Sequence, residues 1–192
     1  MNKIAIIIPS RLEAKRLPGK PLKLISNKEM ILHVYDAAKS SNVGDVYVAT
    51  PNQEIIEIVK NYGGKAIETS DNHETGTDRV FEVFKNILKF EPDIIINLQG
   101  DMPNLNSDSI SSLVRHMKTS KCDIGTLASK LDSKSDIDNP NIVKVAVKEK
   151  LSENNFLKAL DFSRKNIETT HYIYHHVGIY AYTNQALLRY VK

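Results

Sequence analysis

The sequence predicts an α/β fold in which a mostly parallel β-sheet lies between layers of helices. Two observations predict it. Apolar runs such as residues 4–8 (IAIII) and 46–49 (VYVA) are continuous rather than alternating, as in strands that are covered on both faces. Between these runs, apolar residues recur at helical spacing, so that strands and helices alternate through the first 130 residues.

Each element of this first part is placed by its apolar pattern and by the residues that stop it. The predicted strands cover residues 4–8, 46–49, 65–68, 93–98 and 124–128. The predicted helices cover residues 28–40, 53–62, 77–90 and 107–120. The pair Gly63 and Gly64 ends the second helix, and Pro92 ends the third.

The pattern changes after about residue 130. Residues 132–141 are rich in Asp, Ser and Asn and predict a loop. The alternation over residues 143–147 predicts a more exposed, antiparallel strand, and a further strand is predicted over 176–182. A last helix begins at Asn184 and is still in progress at Lys192.

Composition and charge exclude several classes of protein. With 192 residues, 41% hydrophobic and 26% charged, the chain fits one globular domain. No segment approaches the roughly 20 apolar residues of a membrane span, and a net charge of +3 is too small to indicate a nucleic-acid partner. Cys122 is the only cysteine, so a reducing compartment is the simplest location. We expect a cytoplasmic protein without membrane or nucleic-acid partners.

The loop after the first strand, residues 9–21, is rich in cations. It contains one carboxylate, Glu13, and four cations, Arg11, Lys15, Arg16 and Lys20. Ligands of such sheets bind beyond the carboxyl ends of the strands, so this loop is predicted to clamp a triphosphate. A solvated basic loop is the alternative. Neither the G-x-G-x-x-G pattern nor a Walker loop is present, because Lys20 is followed by Pro21.

Two more loops carry candidate residues. Gln99 and Asp101 follow the central strand, and a carboxylate there suits a Mg²⁺ ion that bridges substrate phosphates. Asp is also a common turn residue, which is the alternative. Residues 73–79 open the third helix, where Thr77 is predicted as the N-cap and the amides also suit a base or a ribose.

These three loops form one series with three later segments. In chain order the series is Arg11 with 16–22 (RLPGKPL), 73–79 (HETGTDR), 99–101 (QGD), 139–144 (NPN-x-VK), 162–164 (FSR) and 176–180 (HVGIY). The series spans essentially the whole chain and strongly resembles the 3-deoxy-manno-octulosonate cytidylyltransferase family, the CMP-KDO synthetases. Each segment is modest evidence, whereas their joint order is specific.

The resemblance implies a glycosyltransferase-A-like fold and an enzyme that transfers CMP from CTP to 3-deoxy-manno-octulosonate (KDO) for lipopolysaccharide synthesis. It implies Mg²⁺ as cofactor and a homodimer. It also implies that residues 1–130 are a nucleotide-binding portion and residues 131–192 a sugar-binding and closing portion of one domain. The residues that it assigns are Arg11, Arg16 and Lys20 to the triphosphate, Thr75, Gly76 and Thr77 to the nucleoside, Asp101 to the metal, and Gln99, Arg164 and His176 to the sugar. Lys20, Arg16 and Asp101 are the implied catalytic residues.

The sequence also departs from the family. Met102 stands where family members commonly carry Glu, and family chains continue past the position of Lys192 with a second metal-binding Asp. We therefore expect a chain truncated at its C-terminus, whose last helix leaves Leu187, Leu188 and Val191 uncovered. Two alternatives follow: a truncated homologue that binds CTP without efficient turnover, and a cytidylyltransferase for another acidic sugar such as sialic acid.

Overall fold

The computed structural model of this chain describes residues 3–13, 17–153, 155–165, 167 and 171–191. Its contacts divide the chain into two units, which are described separately below. Unit 1 consists of Met1–Gly125 and Ile179–Lys192, and unit 2 consists of Thr126–Gly178.

The secondary structure alternates between strands and helices, as predicted. The strands are β1 (Ile4–Pro9), β2 (Leu24–Ile25), β3 (Lys28–Glu29), β4 (Asp45–Thr50), β5 (Ala66–Glu68), β6 (Ile94–Leu98), β7 (Ile124–Ser129), β8 (Lys144–Val147), β9 (Ala159–Ser163) and β10 (Tyr172–Thr183). The helices are α1 (Met30–Ser40), α2 (Gln53–Asn61), α3 (Gly76–Glu82), α4 (Ser107–Thr119), α5 (Lys134–Asp138) and α6 (Asn184–Tyr190).

The sheet of unit 1 has the strand order β5–β4–β1–β6–β10. The first four of these strands are parallel to one another, and the last part of β10 runs antiparallel to β6. Strand β1 lies in the centre, and its residues Ile6, Ile7 and Ile8 are fully buried. The predicted α/β fold with a mostly parallel sheet is therefore confirmed, because only a strand covered on both faces buries consecutive side chains.

Helices cover both faces of this sheet. On one face α1 contacts α4, where the Ser111 hydroxyl donates to the carbonyl oxygen of Ser41 at 3.0 Å. The end of α2 joins them through the Tyr62 hydroxyl, which donates to the Asp36 carboxylate at 2.8 Å. On the other face, α3 and α6 pack on alternate residues of the strands, among them Ile7.

The apolar cluster under α3 and α6 corrects one expectation. Leu187 is fully buried in this cluster, beside Phe84, Val80 and other residues of the sheet and of α3, and Leu188 and Val191 pack against it. The expectation that these three side chains lack cover is wrong, because α6 packs its apolar side on the sheet of unit 1.

Some helix boundaries in unit 1 differ from prediction, among them that of α6, which ends at Tyr190 although the last helix had been predicted to be still in progress at Lys192. Helix α1 begins at Met30 rather than at residue 28, because Lys28–Glu29 pair with Leu24–Ile25 in a short hairpin. The third helix changes after Glu82 into a π-helical turn, Val83–Ile87. It ends before Pro92, since Lys89 and Phe90 take positive φ angles of 49° and 62° that no right-handed helix contains.

Unit 2 contains an antiparallel arrangement in which β8 lies between β9 and the first part of β10. The predicted antiparallel strand over 143–147 is confirmed, but its predicted exposure is wrong, since all four residues of β8 are buried. Strand β9 had not been predicted. The predicted loop 132–141 contains the short helix α5, which begins with a capping box between Ser133 and Asp136.

None of the helices in the described part of the chain has the length and apolar character that spanning a membrane requires.

Candidate active site

A pocket of about 260 Å³ opens in unit 1 where β1 and β6 end and α3 begins. Six of the residues predicted for the site line it: Arg11, Lys20, Thr75, Gly76, Gln99 and Asp101. Arg16, the further predicted triphosphate residue, lies outside the described residues. The three loops singled out in the sequence therefore meet in one pocket, as expected for loops at the carboxyl edge of a parallel sheet.

The cation-rich loop is held by hydrogen bonds to its own backbone and to a neighbouring loop. The backbone amide of Leu12 donates to the Asn52 side chain at 3.0 Å, and the amide of Gly19 donates to the carbonyl oxygen of Leu12 at 3.0 Å. Gly19 has a φ angle of 67°, a conformation that glycine adopts without strain. A 3-10 turn, Lys20–Leu22, follows and carries the lysine into the pocket.

Lys20 and Asp101 form an ion pair across the pocket. The Lys20 ammonium donates to the Asp101 carboxylate at 2.7 Å, and the two side chains remain 35% and 54% exposed. A pair this exposed contributes little to folding. Both groups therefore stay accessible to a charged ligand.

The donor set at Asp101 fits a metal that arrives with phosphates better than a metal held by protein alone. Within the described ranges, no three His, Cys, Asp or Glu side chains come together as a metal site. Mg²⁺ commonly uses one or two carboxylates together with substrate phosphates and water. An accessible Asp101 in a pocket lined by Arg11 and Lys20 matches that pattern.

Gln99 is positioned by a line of hydrogen bonds through the sheet. Its side-chain amide donates to the Asn97 oxygen at 2.9 Å, and the Asn97 amide donates to the Thr77 hydroxyl at 3.2 Å. Thr77 also bonds to Tyr182, whose pKa is raised to about 12 by burial, an effect that this hydrogen bond partly offsets. Asn97 had not been predicted for the site, although it is the one polar residue within the apolar run 94–98.

The start of α3 is fixed by Thr75 rather than by Thr77. The Thr75 hydroxyl accepts from the Asp78 amide at 3.2 Å, and the Asp78 carboxylate accepts from the Thr75 amide at 3.0 Å. The prediction of Thr77 as N-cap is therefore wrong, because the capping box of Thr75 and Asp78 satisfies the first turn.

Two glycines in the pocket wall lie close to the end of β1. A Cβ atom at Gly76 would come within 3.2 Å of the Pro9 ring, and one at Gly100 within 3.1 Å of the Pro9 carbonyl oxygen. These contacts are tight, so a side chain at Gly76 or Gly100 would require Pro9 to move by a few tenths of an ångström.

Arg79 and His73 line the same pocket but had not been assigned a role, although both lie in the segment 73–79. Arg79 is only 3% exposed, and one of its amino groups donates to the Thr69 hydroxyl and to the Ser70 carbonyl oxygen. Burial, and then the positive charge of Arg11, lower the pKa of Arg79. These two guanidinium groups therefore share one positively charged region of the pocket.

Of the remaining predicted residues, Thr77 does not line this pocket, and Arg164 and His176 belong to unit 2. One Arg164 nitrogen donates to the Asn141 carbonyl oxygen at 3.4 Å. His176 is buried in β10, where its Nε2 atom lies 2.9 Å from the Thr126 hydroxyl. Burial, and then the charge of His175, lower the pKa of His176, so its imidazole is neutral at neutral pH.

A parallel sheet whose carboxyl edge carries a cation-lined pocket is typical of nucleotide-binding α/β proteins, and the cations Arg11 and Lys20 favour a phosphate ligand. Comparison with known proteins narrows this class. A family model for cytidylyltransferases matches residues 5–192. Cytidylyltransferases are nucleotidyltransferases, so the chain belongs to that class of enzyme.

Curated relatives and a solved structure agree on the family within this class. The chain is 40% identical to 3-deoxy-manno-octulosonate cytidylyltransferase of Thermodesulfovibrio yellowstonii, over 96% of this chain and 77% of that protein. It is 39% identical to the enzyme of the same name from Brucella anthropi, over 99% and 77%. The structure of CMP:2-keto-3-deoxy-manno-octonic acid synthetase complexed with CTP superposes with a TM-score of 0.86 at 39% identity, covering 98% of this chain and 77% of that one.

The chain belongs to the 3-deoxy-manno-octulosonate cytidylyltransferase family, as its sequence motifs had indicated. More distant structures share only the fold. One is 4-diphosphocytidyl-2C-methyl-D-erythritol synthase of Anaerococcus prevotii, with a TM-score of 0.62 at 12% identity over 99% of this chain and 77% of that chain.

Proposed function

We propose that this chain transfers CMP from CTP to KDO and releases pyrophosphate. The observation that carries the proposal is the pocket at the carboxyl edge of the sheet, where Arg11, Lys20 and Arg79 surround a space next to Asp101. In the reaction the anomeric hydroxyl oxygen of the sugar forms a bond to the α-phosphorus. The bond from that phosphorus to the bridging oxygen breaks, pyrophosphate leaves with the electron pair, and the hydroxyl proton is released.

The cations of the pocket account for binding and for the stabilisation of the leaving group. Lys20 is accessible and lies on a turn fixed by Gly19, so its ammonium can bind a phosphate oxygen after releasing Asp101. Arg11, which lies near Arg79, adds a second cation. Negative charge grows on the β-phosphate as pyrophosphate leaves, and fixed cations stabilise it there.

We propose Asp101 as the protein ligand of a Mg²⁺ ion that enters with CTP. When bound, such an ion neutralises phosphate charge and lowers the pKa of the attacking hydroxyl. We propose that Gln99, which is hydrogen-bonded to Asn97 and lies on the same loop as Asp101, contacts the sugar near the reacting centre.

Arg164 and His176 are the residues proposed to bind the acidic sugar. A guanidinium group binds a carboxylate with two parallel hydrogen bonds, which suits the acid group of KDO. A neutral His176 would add no charge beside the sugar. Both assignments depend on the motifs shared with the family.

The biological setting is part of the same proposal. The relatives named above act on KDO by name, and we propose that this chain supplies activated KDO for lipopolysaccharide synthesis in the cytoplasm, as a homodimer.

Pyrophosphate release tests the proposal directly. We expect release with CTP and KDO in the presence of Mg²⁺, and little with UTP and KDO or with CTP and sialic acid. Release with sialic acid in preference to KDO would show that the sugar is different. Binding of CTP without release on either sugar would leave a CTP-binding protein and overturn the proposed activity.

A further inference from the structure

Lys144 in β8 is a charged side chain that is buried completely. Its ammonium donates to three backbone carbonyl oxygens, those of Asn139 at 2.8 Å, Ile142 at 3.0 Å and Arg164 at 2.8 Å. An ammonium has three donors, so each of them is used. Among the described residues, the ion pairs include no carboxylate bound to Lys144.

A buried ammonium of this kind is costly unless every donor is bonded, because burial removes its hydration. Apolar residues occupy the rest of β8, where Val145, Ala146 and Val147 are all buried. A methionine or leucine at position 144 would fill the same space without this cost. The lysine is therefore explained by what its three hydrogen bonds hold in place.

The three carbonyl groups that bind Lys144 belong to two segments that are far apart in the sequence. Asn139 and Ile142 are the ends of a tight turn, in which the Ile142 amide donates to the Asn139 oxygen at 3.1 Å and Pro140 takes the second position. Arg164 directly follows β9 on the other side of β8. The ammonium of Lys144 ties this turn to the backbone of Arg164.

The side chain of Arg164 returns to the same turn, where it donates to the Asn141 carbonyl oxygen at 3.4 Å. The guanidinium of Arg164 is thus hydrogen-bonded to this turn, and the backbone of Arg164 is joined to the same turn through the Lys144 ammonium. Loss of the ammonium would release both ends of the arginine.

We propose that Lys144 is a positioning residue that sets the guanidinium of Arg164 for the carboxylate of the acidic sugar. The proposal rests on the sugar-binding role proposed for Arg164. Lys144 itself does not contact the substrate, since its three donors are occupied by protein.

The test compares Lys144→Met with Lys148→Met. Both changes remove one positive charge from the same segment, but Lys148 is exposed. For Lys144→Met we expect the KM for KDO to rise about 10- to 100-fold, as misplacement of a substrate-binding group does, and the KM for CTP to stay within about twofold. Lys148→Met should change neither value. Equal rises in both KM values for Lys144→Met would indicate general damage and overturn the proposal.

A double-mutant cycle separates this inference from the proposed function. If Lys144 acts through Arg164, Lys144→Met adds nothing to the KM for KDO once Arg164→Ala is present. If the two substitutions multiply each other's effects on the KM for KDO, Lys144 does not act through Arg164 and the positioning role is overturned. An Arg164→Ala variant with an unchanged KM for KDO would instead overturn the sugar contact of Arg164. Where Lys144→Met does not fold, Lys144→Gln, which keeps part of the donor capacity, replaces it in the same cycle.

Discussion

Replacement of Lys20 by methionine is the sharpest test of the phosphate clamp. In the pocket the ammonium of Lys20 is 2.7 Å from the Asp101 carboxylate, and both side chains are well exposed. Removing a pair this exposed costs folding about 1 kcal/mol at most. The variant is therefore expected to fold normally.

The effect on binding should be larger than the effect on folding. A hydrogen bond to a charged group is worth about 1.5–3 kcal/mol. Because binding has to break the contact with Asp101 first, part of this is offset, and we expect a net loss of about 1–2 kcal/mol. That loss corresponds to a Kd for CTP that is about 5- to 30-fold weaker.

Calorimetric titration with CTP measures the binding, and urea denaturation measures the folding. Lys23→Met is the matched control, because Lys23 is exposed, carries the same charge and does not line the pocket. If both variants weaken CTP binding by the same factor, only the overall charge matters and the hypothesis of a phosphate clamp is wrong. An unchanged Kd with a loss of stability above about 2 kcal/mol would make Lys20 a structural residue.

Three further predictions concern the metal, the hydrogen-bond line and pH. Asp101→Asn, nearly isosteric but uncharged, should abolish Mg²⁺-dependent pyrophosphate release without lowering the melting temperature; wild-type rates at saturating Mg²⁺ would make the carboxylate a turn residue. Asn97→Leu should lower the free energy of unfolding in urea by about 1–3 kcal/mol, because Thr77 and Gln99 lose a buried partner; an unchanged midpoint would contradict this. His176 has a pKa lowered below its reference of 6.5, so the unfolded chain binds protons first as pH falls, and stability drops below about pH 6.5 by at most about 1.4 kcal/mol per pH unit. His176→Gln should reduce that drop in denaturation at about pH 7.5 and about pH 5.5, and an identical drop in the variant would show that His176 does not cause it.

The parallel sheet was predictable because local patterns encode it. Continuous apolar runs mark strands covered on both faces, and β1, β4 and β6 follow those runs within one or two residues. The three loops around the pocket were also predictable, since the carboxyl ends of parallel strands meet at one edge.

Other features depend on tertiary contacts that no local pattern contains. Lys144 reads as part of an alternating, half-exposed strand, yet it is fully buried because three carbonyl groups from two segments surround it. Arg79 had been assigned no role, and its burial depends on Thr69 and Ser70, which bind it in the interior. By contrast, the capping box of Thr75 and Asp78 was visible in the sequence and should have outweighed Thr77.

The close approach of Gly76 and Gly100 to Pro9 has a consequence for how this pocket can change. A side chain at either position would press on Pro9, so a substitution there shifts the end of β1 as well as the loop that carries it. The side chains that line the pocket beside these glycines, such as Gln99 and His73, have no such contact with Pro9 to preserve, so the pocket surface is more easily changed there than at Gly76 or Gly100.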